Sequence, residues 1–492
     1  MEFLSNGSLG LFALGILVFA LVLTFGFEFV NGFHDTANAV ATVIYTNSLT
    51  PTQAVVWSGL WNFLGVVASS GAVAFAIVAL LPIELILHVR SEAAFAMVMA
   101  LLLSAIIWNV GTWYLGLPAS SSHTLIGSIV GVGLMNSLIA GQGFGEGVNW
   151  GKVEETVFAL VTSPMIGFIG AAAVLALARL LIKNPDLYRA PQGKAPPPWG
   201  IRSVLLLTCT GVSLAHGSND GQKGMGLIML VLIGLAPATY ALHLPLAPDK
   251  LQAIVAASQS AQPIFARAPP VGPIDDASAD DDISRFLTSG IPDDRTLPSL
   301  ALKNANVAAT LRHVTSVQQL SALERSRLRR DIYLVDDGIQ KLVRGGFVTT
   351  ADAATLNALR SRFLPLTNYI PLWVKLAVAV TLGLGTMIGW KRIVRTIGEK
   401  IGQSHLTYAQ GASAEAVAML TIGAADMVGV PVSTTHILSS GVAGAMFASH
   451  SKLQRATLRN IVLAWVLTLP ACVMLGSLLF AALLYAFLRL FG

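Results

Sequence analysis

Gly32-Phe33-His34-Asp35-Thr36-Ala37-Asn38 is answered later in the chain by Gly217-Ser218-Asn219-Asp220-Gly221-Gln222-Lys223. A second string, Gly116-Leu117-Pro118-Ala119-Ser120-Ser121-Ser122-His123-Thr124, is answered by Gly429-Val430-Pro431-Val432-Ser433-Thr434-Thr435-His436-Ile437. Both pairs come in the same order, and Gly131 and Gly444 fall in register behind the second string. A chain that repeats an ordered pair of motifs is two copies of one unit. The interval from Asp220 to Pro431 is far longer than that from Asp35 to Pro118, so the second copy carries an insertion.

Composition sets the solvent in which these copies fold. Of 492 residues, 54% are apolar and only 12% are charged, about half the charge density of a soluble domain. Residues 10–30, 55–81, 93–108, 157–182 and 461–488 are almost free of charge, and all but 93–108, which falls a few residues short, are long enough to cross about 30 Å of hydrocarbon as a helix. The first of them lacks a basic start, carries Glu2 ahead of it and runs into a polar motif, unlike a cleaved signal peptide. Cys209 and Cys472 both lie in apolar segments, which gives no disulfide framework. The net charge of +5 is spread over loops; it suits an anionic lipid face and gives no argument for nucleic acid. The expected fold is an all-α polytopic membrane protein of about ten spans. It comprises two inverted-topology repeats of about five segments each, with broken helices and re-entrant-type hairpins.

The expected divisions are a first repeat at residues 9–182, a basic cytoplasmic linker at 183–200 and the start of the second repeat at 201–243. An inserted extracytoplasmic domain follows at 244–366, and the rest of the second repeat at 367–490. Asp, Arg, Pro and Ser are concentrated in the insertion. Its polar stretch at 311–330 reads as helix, while Ala268-Pro269-Pro270 and the Asp-rich run at 279–282 read as linker. Orientation follows from Lys and Arg: Arg189, Lys194 and Arg202 crowd one loop, Lys391, Arg392, Arg395 and Lys400 another, and Lys452, Arg455 and Arg459 a third. All three are cytoplasmic if the N-terminus lies outside and each half crosses five times. Five is odd, so the second half is inverted, and the insertion and the C-terminus are extracytoplasmic.

The motifs carry the chemistry. The first is expected to interrupt the helix at residues 31–38 and its partner the helix at 216–223, leaving Asp35 and Asp220 deep in apolar segments. A charge there costs about 2.5–3.5 kcal/mol on insertion scales unless something compensates it. Each acid either satisfies its own broken helix or helps form a coupling-ion site, and its occurrence at the same place in both copies favours the site. Inverted repeats with interrupted helices are the usual frame of a secondary transporter, with the cargo bound at the midplane. The second motif places Pro118 or Pro431 in a first helical turn behind hydroxyl residues, the signature of a helix N-terminus. Such an end offers free N–H groups and the positive end of a dipole, so it binds anions. Ser121, Ser122, Thr124, Thr434 and Thr435 are the candidate ligands, with Ser120 and Ser433 as caps. His123 and His436 either donate to the anion or titrate, or else stitch each hairpin to its neighbour. Glu28, two turns before Asp35, and Asp426, just before the second hairpin, are further candidates; Glu415 precedes Asp426 on the same segment. Asn62 and Asn109 read as glue between helices.

On these doubled strings the sequence resembles the PiT family of inorganic phosphate transporters, over residues 10–240 and 370–490 but not the insertion. The resemblance implies symport of phosphate with a cation, by alternating access within a homodimer in the plasma membrane, here a bacterial inner membrane. It implies no tightly bound cofactor. The family's sodium-coupled form has Asn-Asp where this chain has His34-Asp35, and a further Asn where it has Lys223. Asn38 keeps the pattern in the first half, as does Asn219 in the second. An ammonium at a sodium-ligating position implies that Lys223 replaces one sodium, pairing with Asp220 or Asp35, and that the proton drives uptake. The bacterial branch further implies that Mg²⁺ or Ca²⁺ travels with phosphate as a neutral complex. Sodium coupling, or sulfate or another oxyanion on the same frame, are the near alternatives. An intramembrane hydrolase has no His-x-x-x-His or Gly-x-Ser-x-Gly pattern to rest on, so no enzyme is expected. Buried titratable acids favour a coupled carrier over a channel.

Overall fold

The computed structural model describes residues 11–78, 80, 92–141, 143, 145, 148–267 and 272–491. The linker expected at Ala268-Pro269-Pro270 lies outside them. The described chain is helical throughout, with one isolated bridge, Gly402 to Leu453, and no strand.

Around the first motif run α1 (Leu11–Asp35), α2 (Ala37–Tyr45), α3 (Pro51–Ala68) and α4 (Ala72–Val78). Next come α5 (Glu92–Tyr114), α6 (Ser121–Ile139) and α7 (Trp150–Leu181), and α8 (Trp199–Leu235) opens the second copy. The insertion supplies α9 (Pro248–Phe265), α10 (Asp276–Ser289), α11 (Thr296–Arg312), α12 (Ala322–Arg344) and α13 (Thr350–Thr367). The copy resumes with α14 (Leu372–Met387), α15 (Tyr408–Met427), α16 (Thr434–Ala448) and α17 (Arg455–Phe491). Among the described residues five helical stretches are long and apolar enough to span a membrane: Leu14–Tyr45, Ala93–Tyr114, Ser121–Ile139, Val153–Leu181 and Arg455–Arg489. A further candidate is the pair α3 and α4, bent by 76°. The chain is thus a polytopic helical membrane protein. The helix α8 has ample length, but the polar residues of its motif lower its apolarity below that of the others.

Of the two interruptions expected in the motif helices, the first is confined to one residue and the second is corrected. In the first copy only Thr36 separates α1 from α2, and its backbone stays helical at φ −51° and ψ −37°. Its hydroxyl donates back to the Gly32 carbonyl at 2.5 Å and to Thr386 O at 3.0 Å, which loosens one turn without breaking the rod. In the second copy α8 runs through residues 216–223 without a break. Its glycines serve close packing instead: a Cβ at Gly217 would overlap the carbonyl oxygen of Asn62 on α3.

Contacts between the copies are reciprocal. The helix α6 packs along α17, and α16 packs along α7. In the first pair a Cβ on Gly131 would overlap the Val473 carbonyl oxygen; in the second, one on Gly444 would overlap that of Phe168. Likewise Gly32 on α1 lies against the Leu382 carbonyl of α14, as Gly217 on α8 lies against that of Asn62 on α3. Glycine at these positions lets backbones touch, which is how helices gain packing where lipid gives no hydrophobic drive.

A separate compact unit is centred on Met229–Tyr369. Its core includes Leu251, Ile254, Ile283, Phe286, Leu300, Val335 and Leu359. Two sequence expectations fail here. The Asp-rich run is no linker: it lies in α10, which Asp275 and Ser278 open with a capping box and Gly290 closes at φ +74°. Asp282 accepts from Arg295 at 2.9 Å and Ser299 at 2.9 Å, and Lys303, fully buried, pairs with Asp276 at 2.7 Å, Asp280 at 2.5 Å and Asp331 at 3.2 Å. These basic partners convert a charge run into a helix face. The stretch 311–330 is not one helix either; α11 ends at Arg312 and Ser321 caps the start of α12.

Candidate functional site

Each second motif ends in a capped helix. Ser120 Oγ accepts from the His123 amide and Ser433 Oγ from the His436 amide, both at 3.2 Å. The prolines stand before these caps rather than in the first turn as expected, because α6 starts at Ser121 and α16 at Thr434. The amides of Ser121, Ser122, Thr434 and Thr435 precede the first intrahelical bonds, so each helix presents unspent N–H groups and a positive dipole end.

The two ends meet at the acids. Thr435 donates to Asp35 Oδ1 at 2.5 Å, and Ser121 donates to Asp35 Oδ2 at 3.1 Å and reaches Asp220 Oδ2 at 3.5 Å. Ser122 instead donates to the Val432 carbonyl at 2.8 Å, tying one hairpin to the other. Asn38 donates to Thr434 at 3.3 Å and Thr435 at 3.0 Å, while its own Oδ1, buried, accepts from none of the described residues. Thr124 turns away, donating to Asn109 Oδ1 at 3.0 Å and to Ser120 O at 2.9 Å. The rings of His123 and His436 lie 4.6 Å apart, and His436 stacks on Trp465 at 4.1 Å, which fits the stitching role.

Around the acids the charges are closely placed. Lys223 Nζ lies 2.8 Å from Asp220 Oδ1, with both side chains fully buried. His34 contacts Asp35 Oδ1 at 3.2 Å and Thr112 at 3.3 Å. His216, absent from the sequence reading of the site, faces Asp220 Oδ2 at 3.5 Å and Asp35 Oδ2 at 3.9 Å, with its other nitrogen 2.8 Å from Asn62 Oδ1. Asp35, His216 and Asp220 offer ligand atoms all within 4.8 Å of one another, a set of two carboxylates and an imidazole able to chelate a cation. One signal would have found His216: it stands one helical turn before Asp220, in the register position of Asn31.

The remaining candidates lie around this centre. Glu28 is buried against Gly224, the residue after Lys223. Asn219 donates to the Val430 carbonyl at 3.3 Å. Asp426 does not reach the acid pair; it accepts from Ser218 at 2.6 Å and Gln222 at 2.5 Å. Glu415 sits apart, accepting from Thr208 at 2.5 Å.

Two hydroxyl-capped helix ends closing on paired acids, inside a polytopic helical protein, define a membrane transporter for a small ion. The chain belongs to the phosphate transporter family, whose model matches residues 31–476. It is 42% identical over 477 residues to the low-affinity inorganic phosphate transporter PitA of Escherichia coli K12, covering 94% of this chain and 95% of that one. It is 40% identical over 490 residues to PitB of the same organism, covering 95% and 97%. A low-affinity inorganic phosphate transporter of Buchnera aphidicola from Acyrthosiphon pisum matches at 41% over 477 residues, 94% of this chain and 96% of that one. Among solved structures, "The sodium-dependent phosphate transporter" superposes with a TM-score of 0.53 at 20% identity, over 97% of this chain and 100% of that one. That likeness concerns the fold.

Proposed function

We propose that the chain carries inorganic phosphate into the cell across a bacterial inner membrane, as a proton-coupled symporter. The observation that carries this reading is the convergence of Ser121 and Thr435, at two helix N-termini, on Asp35. Phosphate takes the amides of Ser121, Ser122, Thr434 and Thr435 and the hydroxyls of Ser121, Thr434 and Thr435 in place of its hydration shell. Asp35, His216 and Asp220 hold the cation that accompanies it, Mg²⁺ or Ca²⁺ in a neutral metal–phosphate complex. The Lys223 ammonium, 2.8 Å from Asp220, stands in for a sodium ion, which leaves the proton as the driving ion. His216 and Asp35 are the groups placed to exchange it. The two copies, oppositely oriented and working within a homodimer, alternate access to the site, with both termini outside the cytoplasm. The reciprocal packing of α6 on α17 and α16 on α7 supports such a frame. Sodium coupling is the second reading, favoured by the orphaned Asn38 Oδ1, a neutral oxygen suited to a sodium ion.

The test is counterflow in proteoliposomes with phosphate, arsenate or sulfate, with and without Mg²⁺, under imposed proton or sodium gradients. Phosphate uptake should follow the proton gradient and rise with Mg²⁺. Asp35→Asn and Asp220→Asn should abolish it while the protein still inserts. Normal uptake by either variant removes that acid from the mechanism, and uptake that needs sodium and ignores the proton gradient decides for the second reading.

A further inference from the structure

The two hairpins are fastened to their motif helices by different chemistry at matching positions. Aligning Pro118 with Pro431 and Asp35 with Asp220 sets Trp113 opposite Asp426, and Phe33 opposite Ser218. In the first copy the fastening is aromatic. The Phe33 and Trp113 rings lie 4.9 Å apart, Trp113 Nε1 donates to the Gly389 carbonyl at 2.7 Å, and the Arg392 guanidinium lies 5.2 Å from the Trp113 ring centre. In the second copy it is polar: the Asp426 carboxylate accepts from Ser218 at 2.6 Å and Gln222 at 2.5 Å. The Gln222 oxygen accepts from the Val73 amide at 2.9 Å, so one carboxylate and one amide join the run-in of the second hairpin, α8 and the start of α4. Asp426 is half-buried, and the next residues, Met427 and Val428, are 88% and 73% exposed. Within this ring the site is shut: Asp35 and Ser121 are each 2% exposed and Asp220 is fully buried.

We propose that Asp426, with Ser218 and Gln222, is the latch of the outer gate over the phosphate site, and that Phe33 and Trp113 close the inner gate. The assignment of sides rests on the topology proposed above, in which Lys391 and Arg392 beside Trp113 face the cytoplasm. Opening the outer gate exchanges hydrogen bonds to a carboxylate for hydrogen bonds to water, at the edge of the protein where water is at hand. Opening the inner gate uncovers aromatic surface, with no such replacement. Asp426 is therefore a positioning residue: it touches no cargo and sets which side the closed site opens to first.

The test uses the full chain with a single added cysteine; the native Cys209 and Cys472 are buried and stay in place. A reporter at Val430→Cys, on the second hairpin, is labelled from the outer face with a membrane-impermeant maleimide. Adding Asp426→Ala should speed that labelling by well over about tenfold, because two hydrogen bonds to a charged group are lost and each is worth about tenfold or more. A reporter at Leu117→Cys, on the first hairpin, labelled from the inner face, should slow in the same background, because the population shifts outward. Ser218→Ala, which keeps the carboxylate, should act in the same direction with a smaller factor, and Asp426→Glu should restore slow outer labelling. Unchanged outer labelling in Asp426→Ala overturns the latch, and so does faster labelling of both reporters, the mark of a loosened fold. If phosphate leaves labelling unaltered while Asp426→Ala still produces the opposed changes, the latch stands and the phosphate reading fails.

Discussion

Lys223 offers the sharpest perturbation. Its ammonium and the Asp220 carboxylate lie 2.8 Å apart with no exposure of either side chain, so neither charge has water to fall back on. At that distance, and at an effective dielectric of about 20, their attraction is ~6 kcal/mol. Much of this offsets the cost of desolvating two ions, so the pair as a whole contributes little to stability. Removing one partner is different: Lys223 loses its close counter-charge, or Asp220 keeps only the longer His216 contact at 3.5 Å, and a buried charge so stripped costs about 3–5 kcal/mol. Lys223→Met should therefore destabilise the protein strongly, Asp220→Asn should do the same, and Lys223→Met with Asp220→Asn together should recover most of the loss. The assay is a double-mutant cycle on thermal unfolding of the purified protein in detergent, read by intrinsic tryptophan fluorescence. A coupling of about 3 kcal/mol between the two sites is expected. Additive losses would refute the pair. Asp220→Asn and the double variant should fail in transport, because Asp220 also belongs to the cation-chelating set, so stability and uptake separate cleanly in the double variant.

The helix crossings give a second expectation: Gly131→Val and Gly444→Val each push a side chain into a backbone carbonyl of the opposing helix, costing about 1–3 kcal/mol as overpacking, and size-exclusion and melting measurements should show looser protein than wild type. A third concerns pH in the inserted unit. Burial raises the Asp331 carboxyl from 3.8 to about 6, with Lys303 opposing the shift. The folded state then binds this proton more tightly than the unfolded chain does. The stabilisation is full below pH 3.8 and is lost as pH rises through about 6, a change of about 3 kcal/mol. Hydrogen exchange in α10 to α12 of the full chain, corrected for intrinsic rates, should show more protection at pH 5 than at pH 7, and Asp331→Asn should flatten that difference.

How far the residues announced this arrangement depends on how local each signal was. Apolar runs and the doubled strings are read within a few residues, so the helices, the caps at Ser120 and Ser433 and the pairing of halves are legible. The continuity of the second motif helix is not legible, because only the approach of α3 shows what its glycines are for: Gly217 lies against the Asn62 backbone and Gly221 against the Val66 side chain. His216 escaped because its partners, Asp35 and Asn62, come from distant parts of the chain. For the same reason Thr124 and Ser122, equal to Ser121 in any pattern, spend their hydroxyls on Asn109 and Val432 instead of the acids. The Asp-rich run reads as a solvated linker until Lys303 and Arg295 are brought to it by folding.

The exchange of partners between the copies has a consequence for how the protein is made. The face of α6 that needs α17 is synthesised early, and α17 leaves the ribosome after α1 to α16. Until then Gly127 and Gly131 have no Leu469 and Val473 backbone to lie against, and the Trp108 indole N–H has no Thr468 hydroxyl to donate to. A nascent chain cut anywhere before α17 leaves that indole N–H unsatisfied in the bilayer, a mark by which quality control can recognise an incomplete carrier.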